Sequence, residues 1–159
     1  MIRSITAYLT EDHERIRALI ARARAGDGEA YEELRGALLR HIGMEEKILL
    51  PALRAVGLDP PAMAQMRLDH SALVAMLVPP PSPELLDRLT HLLELHDPLE
   101  EGPEGLYALA DESVPDVAEV LAALERAPVP PLAPHFDGPR AYAAVEQLEA
   151  RAAEGRARG

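Results

Sequence analysis

The stretch RHIGMEEKILLPAL, residues 40–53, combines an amphipathic helical pattern with side chains that the interior of a helix bundle rarely holds. Leucine and isoleucine recur at helical spacing, yet His41 is followed four positions later by Glu45 and then by Glu46. Residues i and i+4 lie on one face of a helix, about one turn apart. His41 and Glu45 can therefore reach one point in the interior of a bundle.

A second stretch, LHDPLEEGPEGLYALAD at residues 95–111, repeats this pattern. His96 is followed four positions later by Glu100 and then by Glu101. Between and before these stretches, two other predicted helices each carry an Asp-His pair, which are Asp12-His13 and Asp69-His70. The chain thus uses one helix-pair pattern twice.

These residue types indicate metal chemistry. A single histidine on an apolar helix face is more often a packed side chain, and a glutamate pair is more often solvated. The repetition outweighs that simpler interpretation. Four imidazoles with two to four carboxylates suit iron, manganese or zinc, and one ion rarely takes so many ligands. We therefore predict two ions bridged by carboxylates.

Composition excludes several other classes. The net charge is -11, which disfavours nucleic acid and anionic membrane surfaces as partners. The absence of cysteine excludes disulfides, thiolate metal sites and cysteine nucleophiles. No apolar run reaches the length of a membrane span, and the N-terminus turns acidic too early for a secretory leader. We expect a cytoplasmic protein.

Apolar periodicity predicts an all-α fold. Aromatic residues make up only 3% of the chain, which favours helices over strands. Pro51 is expected to kink or shorten the second helix. The predicted units are a four-helix bundle over residues 1–112 and a C-terminal helical extension over residues 113–159, within one compact body. The extension holds a Pro-rich loop, a helix over residues 141–154 and a frayed GRARG end. The helices of the bundle are predicted at about residues 2–24, 29–56, 61–78 and 83–96.

The motifs Asp12-His13, HIGMEEKILLPAL, Asp69-His70 and HDPLEEGPEGLYAL together resemble those of the hemerythrin-like, or HHE-type, cation-binding domain family. The resemblance covers about residues 2–111. It implies an up-down-up-down four-helix bundle that holds two non-heme irons. It also implies terminal ligands at His13, His41, His70 and His96, and bridging carboxylates at Glu45 and Glu100. The ferritin-like alternative needs Glu-x-x-His pairs, and no histidine here has a glutamate three positions before it.

The sequence departs from the oxygen-carrying members of that family on the third helix. Those members carry a His-x-x-x-His pair, whereas Val74 stands four positions after His70. Glu46, Glu101, His91 or a water is left to complete the site. This departure disfavours reversible oxygen carriage.

The fourth helix departs as well. Pro98 predicts a kink after His96, or a restart with Asp97 as N-cap. A restart would rotate Glu100 relative to His96 and make Glu101 the alternative ligand. GPEG at residues 102–105 predicts a break that either opens a route for small molecules or weakens this half of the site.

Two aspartates and two tyrosines lie near these motifs in the sequence. Asp12 and Asp69 either accept the outer N–H of an imidazole from another helix or lie in solvent. Tyr8 and Tyr107 are interpreted as packing residues, with a hydrogen bond to a metal-bound ligand as the alternative.

The leading functional hypothesis is a non-heme di-iron protein that binds O2, peroxide or NO, or senses iron or oxygen. Manganese and zinc accept similar ligands. The alternatives are a metal-stabilised interaction or regulatory module, and a peroxidase-like enzyme. No substrate pocket or acid-base pair is evident away from the metal, so a binding protein is favoured and no catalytic residue is assigned. The sequence leaves a homodimer open.

Overall fold

The computed structural model describes residues 3–159, and all regular elements in that range are helical. Ile2, where the predicted first helix begins, lies outside the described residues. Within the described range, no helix is both long enough and apolar enough to span a membrane. The all-α bundle and its helical extension are confirmed. The elements are α1 (Ile5–Arg24), α2 (Gly28–Met44), a π-helical turn (Glu45–Leu49), α3 (Leu50–Ala55), α4 (Pro61–Met76), α5 (Pro83–His96), α6 (Pro98–Glu101), α7 (Leu106–Ser113), α8 (Val117–Arg126) and α9 (Pro139–Arg158).

Local sequence signals set the starts of the bundle helices. The side chains of Ser4, Asp27 and Ser82 accept hydrogen bonds from the backbone N–H three residues ahead, as N-caps do. Pro61 and Pro83 occupy first-turn positions, where a missing N–H costs nothing. The first residues of α4 and α5 match the boundaries that the sequence predicts.

The bundle core is divided into two hydrophobic clusters. One cluster holds Ile16, Leu38, Leu73 and Leu93 among its members. The other contains Leu9, Met44, Met66 and Leu106. The histidine of each bundle helix falls between members of the two clusters, so the four imidazoles form a polar layer inside an apolar bundle.

The second bundle helix passes Pro51 without ending. The chain widens into a π-helical turn at Glu45–Leu49, in which the N–H of Leu50 donates to the carbonyl of Glu45. Helix α3 then carries Pro51 in its first turn, where the missing proline N–H is tolerated. The extra residue of the π turn lies directly at the Glu45-Glu46 pair, a location that π-bulges often share with functional sites.

The fourth bundle helix is interrupted at GPEG, as predicted, whereas the alternative of a restart with Asp97 as N-cap is wrong. Asp97 keeps helical angles (φ -54°, ψ -37°), so α6 continues α5 for one turn, and Gly102 then leaves the helix. A Cβ at Gly105 would overlap the backbone carbonyl of Glu100, so the turn back into α7 requires glycine.

The C-terminal extension ends differently from the prediction. Helix α9 runs from Pro139 to Arg158, so the expectation of a frayed GRARG end is wrong. The physical reason is tertiary contact, because α9 packs along α4 with Val145 in the bundle core. The Pro-rich stretch before it is held by the buried Arg35, which donates to the carbonyls of Leu77 and Ala133.

Candidate metal centre

The six predicted site residues are all buried and meet in the polar layer between the two hydrophobic clusters. They come from four bundle helices, and potential ligand atoms of neighbouring members lie within 4.8 Å of one another. Helices α1, α2, α4 and α5 supply the imidazoles, while the π turn and α6 supply the carboxylates. The residues are His13, His41, Glu45, His70, His96 and Glu100.

The carboxylate of Glu100 spans two histidine pairs. Its Oε1 lies 3.2 Å from Nε2 of His13, and its Oε2 lies 3.0 Å from Nε2 of His96. Glu45 also lies between the pairs, because its Oε1 is 3.2 Å from Nε2 of His41 and 3.4 Å from Nε2 of His70. Two carboxylates between two imidazole pairs form the arrangement that bridged dimetal sites require.

The first imidazole pair is closely spaced. Nε2 of His13 lies 2.9 Å from Nε2 of His41. Two nitrogens that ligate one ion at about 2.1 Å and at right angles stand about 3 Å apart. The spacing therefore fits two cis ligands of a single ion.

Several inward-facing atoms have no hydrogen-bond partner among residues 3–159. They include Oε1 of Glu45, Oε2 of Glu100 and Nε2 of His70, all fully enclosed. A buried polar atom left without a partner costs free energy, so such atoms are rare unless an ion or ligand satisfies them. All three belong to the same cluster, and the residues therefore fit a bound cation.

A carboxylate faces the outer nitrogen of each of the four histidines in the centre. The Nδ1–carboxylate distances are 2.6 Å for His13–Glu101, 2.7 Å for His41–Asp12, 2.8 Å for His70–Glu46 and 3.0 Å for His96–Asp69. An Nδ1–H that donates to a carboxylate leaves Nε2 as the metal-binding nitrogen and fixes the ring orientation. The carboxylates therefore orient all four imidazoles towards the interior.

These contacts decide several alternatives that the sequence leaves open. Asp12 and Asp69 accept from imidazoles of other helices, rather than lying free in solvent. Glu46 and Glu101 do the same from the positions directly after the two bridging glutamates. His91 is exposed, and Val74 is 37% exposed, so neither position faces the centre.

Tyr107 contacts the centre directly, which the sequence offered only as the less favoured alternative. Its hydroxyl lies 2.9 Å from Oε2 of Glu45 and 3.2 Å from Oε1 of Glu100. The same oxygen is 3.0 Å from Nε2 of His13 and 3.2 Å from Nε2 of His41. Tyr107 packs in the second hydrophobic cluster, as predicted, and its hydroxyl also contacts four candidate ligands.

The spacing of Tyr107 from Glu100 would place both on one helix face only if the helix between them were unbroken. Tyr107 follows Glu100 by seven residues, which is two turns of an unbroken helix. The GPEG break removes that phase relation. Tyr8, by contrast, packs beside the second cluster and accepts a hydrogen bond from Arg40, as a packing residue would.

The charges of the cluster shift its pKa values. Burial lowers the pKa of His41, but the Glu45 charge and the hydrogen bond to Asp12 outweigh it and raise the pKa to about 10. Burial also lowers the pKa of His96. The charge of Glu100 and the hydrogen bond to Asp69 outweigh this effect and raise the pKa well above its usual value. Metal ions bind neutral imidazole, so an incoming cation must displace these protons.

A small cavity adjoins the centre. The space open to the centre of a water molecule measures about 10 Å³, and its apolar walls are Ile16, Leu38, Ile42, Leu73 and Leu93. A volume of this size accepts about one water-sized molecule.

A larger surface groove of about 350 Å³ shares Arg17, Leu93 and Asp97 with the walls of that cavity. Arg17 donates to Asp97 at 2.8 Å and to Glu101 at 2.9 Å. The guanidinium of Arg17 thus stands between the groove and the centre.

Comparison with known proteins agrees with this geometry. The family model described as "Hemerythrin HHE cation binding domain" matches residues 4–114, which hold the bundle and the whole His/Glu cluster. Searches of curated proteins and of solved structures gave no significant match. The family match covers most of the chain and includes every predicted site residue. The chain therefore belongs to the hemerythrin HHE cation-binding domain family.

Proposed function

We propose that the chain is a non-heme di-iron protein of hemerythrin type that binds O2, peroxide or NO. The observation that carries this proposal is the position of Glu45 and Glu100 between two imidazole pairs. His13 and His41 would hold one ion, with the Tyr107 oxygen beside them. His70 and His96 would hold the other ion, and the two glutamates would bridge.

The donor set supports iron. Imidazole and carboxylate ligands suit iron, manganese and zinc, whereas soft thiolates are absent from the chain. A tyrosine oxygen is a further hard donor, which favours a ferric ion over zinc. When bound, the iron pair supplies redox activity and open coordination positions for a small ligand.

The surroundings support a ligand of two or three atoms. The adjoining cavity is about 10 Å³ and lies between the candidate ligands on one side and five aliphatic side chains on the other. Apolar walls admit O2 and NO without a desolvation cost, and they exclude larger polar substrates. The chain itself orients the imidazoles through their outer carboxylates and excludes bulk water with the two hydrophobic clusters.

Tyr107 gives the centre a proton-bearing group. Burial and the charges of Glu100 and Glu45 raise the pKa of its hydroxyl well above the usual value. In the metal-free protein the hydroxyl therefore keeps its proton and donates it towards Glu45. The titratable groups that line the cavity are the proposed ligands and the Arg17–Asp97 ion pair, so binding or sensing is favoured over turnover of an organic substrate.

The test is metal content on protein expressed with added iron, together with an optical spectrum. We expect about two irons per chain and visible ferric absorption that changes when NO or peroxide is added. His41→Ala should lose metal, whereas His91→Ala, an exposed histidine off the site, should keep it. Wild-type protein without stoichiometric iron would overturn the proposal.

The alternative is a metal-stabilised regulatory module without redox chemistry. The contact between α9 and the surroundings of the centre favours it, because α9 lies outside the matched family region. This alternative predicts bound metal with a spectrum that is indifferent to O2, NO and peroxide. It also predicts that metal removal exposes α9 to proteolysis.

A further inference from the structure

We propose that Arg156, on the C-terminal helix α9, is a positioning residue for the metal ligand His96 and acts on it through Asp69. The inference rests on the proposed metal site. It goes beyond that site because it gives α9, which follows the matched family region, a direct effect on the affinity for one of the two ions.

The contacts form a continuous chain. Nη1 of Arg156 donates to Oδ1 of Asp69 at 2.7 Å, and Nη2 donates to Oδ2 at 2.5 Å. Oδ2 of Asp69 accepts from Nδ1 of His96 at 3.0 Å, and Nε2 of His96 lies 3.0 Å from Oε2 of Glu100. A two-pronged guanidinium–carboxylate pair fixes direction as well as charge. Arg156 therefore fixes the carboxylate that orients the His96 ring.

Asp69 differs from the other three carboxylates that face imidazoles. Its side chain is 0% exposed, against 10% for Asp12, 25% for Glu101 and 33% for Glu46. The three more exposed carboxylates can be solvated by water if an arginine is lost. A fully buried carboxylate cannot be, so it depends on its cationic partner.

The arginines differ in the same way. Arg15, Arg17 and Arg67, which face Asp12, Glu101 and Glu46, are about half exposed and belong to the matched region. Arg156 is 23% exposed and reaches the bundle from α9. A charge pair with this little water around it is screened less than a surface pair.

The packing of α9 on α4 places Arg156 accurately. A Cβ at Gly155 would overlap the Oε1 atom of Gln65, so glycine permits this close approach. Nε2 of Gln65 donates both to Asp69 Oδ1 at 3.0 Å and to the carbonyl of Ala152 at 2.9 Å. One amide group thus connects α9 with the carboxylate that Arg156 contacts.

The expected consequence is a linkage between α9 and the second metal position. Changing the outer partner of a metal-ligating histidine typically weakens metal binding about 10- to 100-fold. Linkage is reciprocal, so a metal ion at His70 and His96 should also stabilise the docking of α9. The ion at His13 and His41 lies in the other half and should be affected much less.

The experiment is a competition of a ferrous chelator with full-length protein loaded with Fe²⁺ under argon. Arg156→Gln should weaken the binding of one of the two ions by about 10-fold, the lower end of the range for the outer partner itself, because Arg156 acts on His96 through Asp69. Arg156→Lys should recover part of that loss, because it restores charge without the two-pronged geometry. Two control variants remove the same charge elsewhere. Arg67→Gln removes it beside Glu46, and Arg151→Gln removes it from the exposed face of α9. Each control protein should retain its two ions.

Hydrogen exchange gives a second readout that a purely structural role would not change. Fe²⁺ should slow amide exchange in α9 of the wild type and have no such effect in Arg156→Gln. Equal retention of both ions in Arg156→Gln and Arg151→Gln, or α9 exchange indifferent to Fe²⁺ in the wild type, would overturn the inference. Wild-type protein that binds no Fe²⁺ would instead overturn the proposed function.

Discussion

The half of the site on α1 and α2 and the half on α4 and α5 carry the same ligand types in different surroundings. In the first half, Tyr107 lies beside both imidazoles. In the second half no tyrosine oxygen is in contact among the described residues, and the outer carboxylate Asp69 is buried under α9. The sequence repeat produces a pseudo-symmetric set of ligands, and elements outside the repeat make the two halves unequal.

This difference has a chemical meaning. A tyrosine oxygen adds a hard anionic donor to the first position, which would stabilise a ferric ion there. The apolar cavity walls come from both halves of the bundle, but the second position keeps fewer protein donors. Small ligands are therefore expected at the second position.

The largest effect is expected from removing the bridge that both halves share. Glu100→Ala deletes oxygens that face both imidazole pairs. Affinity for iron should fall by more than about 100-fold, the upper end of the cost of losing a mere outer contact. Elemental analysis after gel filtration measures this. Glu104→Ala, an exposed residue of the same turn, is the matched control and should keep its iron.

Tyr107→Phe removes the tyrosine oxygen that distinguishes the first half of the site from the second. A ferric ion next to a tyrosine oxygen should give a visible charge-transfer band, and the variant should lose it while retaining iron. Tyr8→Phe, whose hydroxyl contacts Arg40 instead, should keep the band. An unchanged spectrum in Tyr107→Phe would show that the tyrosine oxygen does not bind the metal.

The same variant tests the energetics of the metal-free bundle. Removing the hydroxyl leaves the polar atoms of Glu45 and His13 with one partner fewer in a buried place. A lost buried hydrogen bond of this kind costs about 1–3 kcal/mol. Urea unfolding of the metal-free protein should report a decrease of this size, whereas an increase would mean that the packed phenylalanine is preferred.

The pH dependence of metal-free protein sharpens the comparison further. The pKa of His41 is raised from 6.5 in the unfolded chain to about 10 by Glu45 and Asp12, against the effect of burial. A raised pKa means that the folded state binds the proton more tightly, so this stabilisation is full below pH 6.5 and is lost as pH rises towards 10. Urea unfolding should show falling stability across that window.

Iron-loaded protein should behave differently in the same window. Its imidazoles are neutral ligands, so they have no proton to lose as the pH rises. The loss of stability between pH 6.5 and 10 should therefore be much smaller with iron than without it. Equal slopes for the two forms would contradict the assignment of His41 as a ligand.

Much of this arrangement could be predicted from local sequence. Helical spacing, caps and the His-x-x-x-Glu motifs are contained in short segments. These local patterns were enough to predict the helices of the bundle and the six candidate ligands. Asp12 and Asp69 could only be left open, since their roles depend on which helix faces them. Tyr107 lies beyond a glycine break that removes helical phase, and Arg156 reaches the site only through the docking of α9. Both are tertiary effects that no local pattern records.

The smallest effect on stability, with a distinct effect on rate, is expected from Arg17→Ala. Arg17 is 47% exposed and bridges Asp97 and Glu101 between the surface groove and the centre. An exposed ion pair contributes about 0–1 kcal/mol, so thermal unfolding should change little. Removing the guanidinium opens the wall that the groove shares with the inner cavity. Stopped-flow mixing of iron-loaded protein with NO should therefore show faster binding.

Arg15→Ala is the control for this prediction. It removes a similarly exposed charge beside Asp12, away from the groove, and should leave the rate of NO binding unchanged. If both variants bind NO at the wild-type rate, small molecules reach the centre by another route, and the break at residues 102–105 becomes the place to look for it.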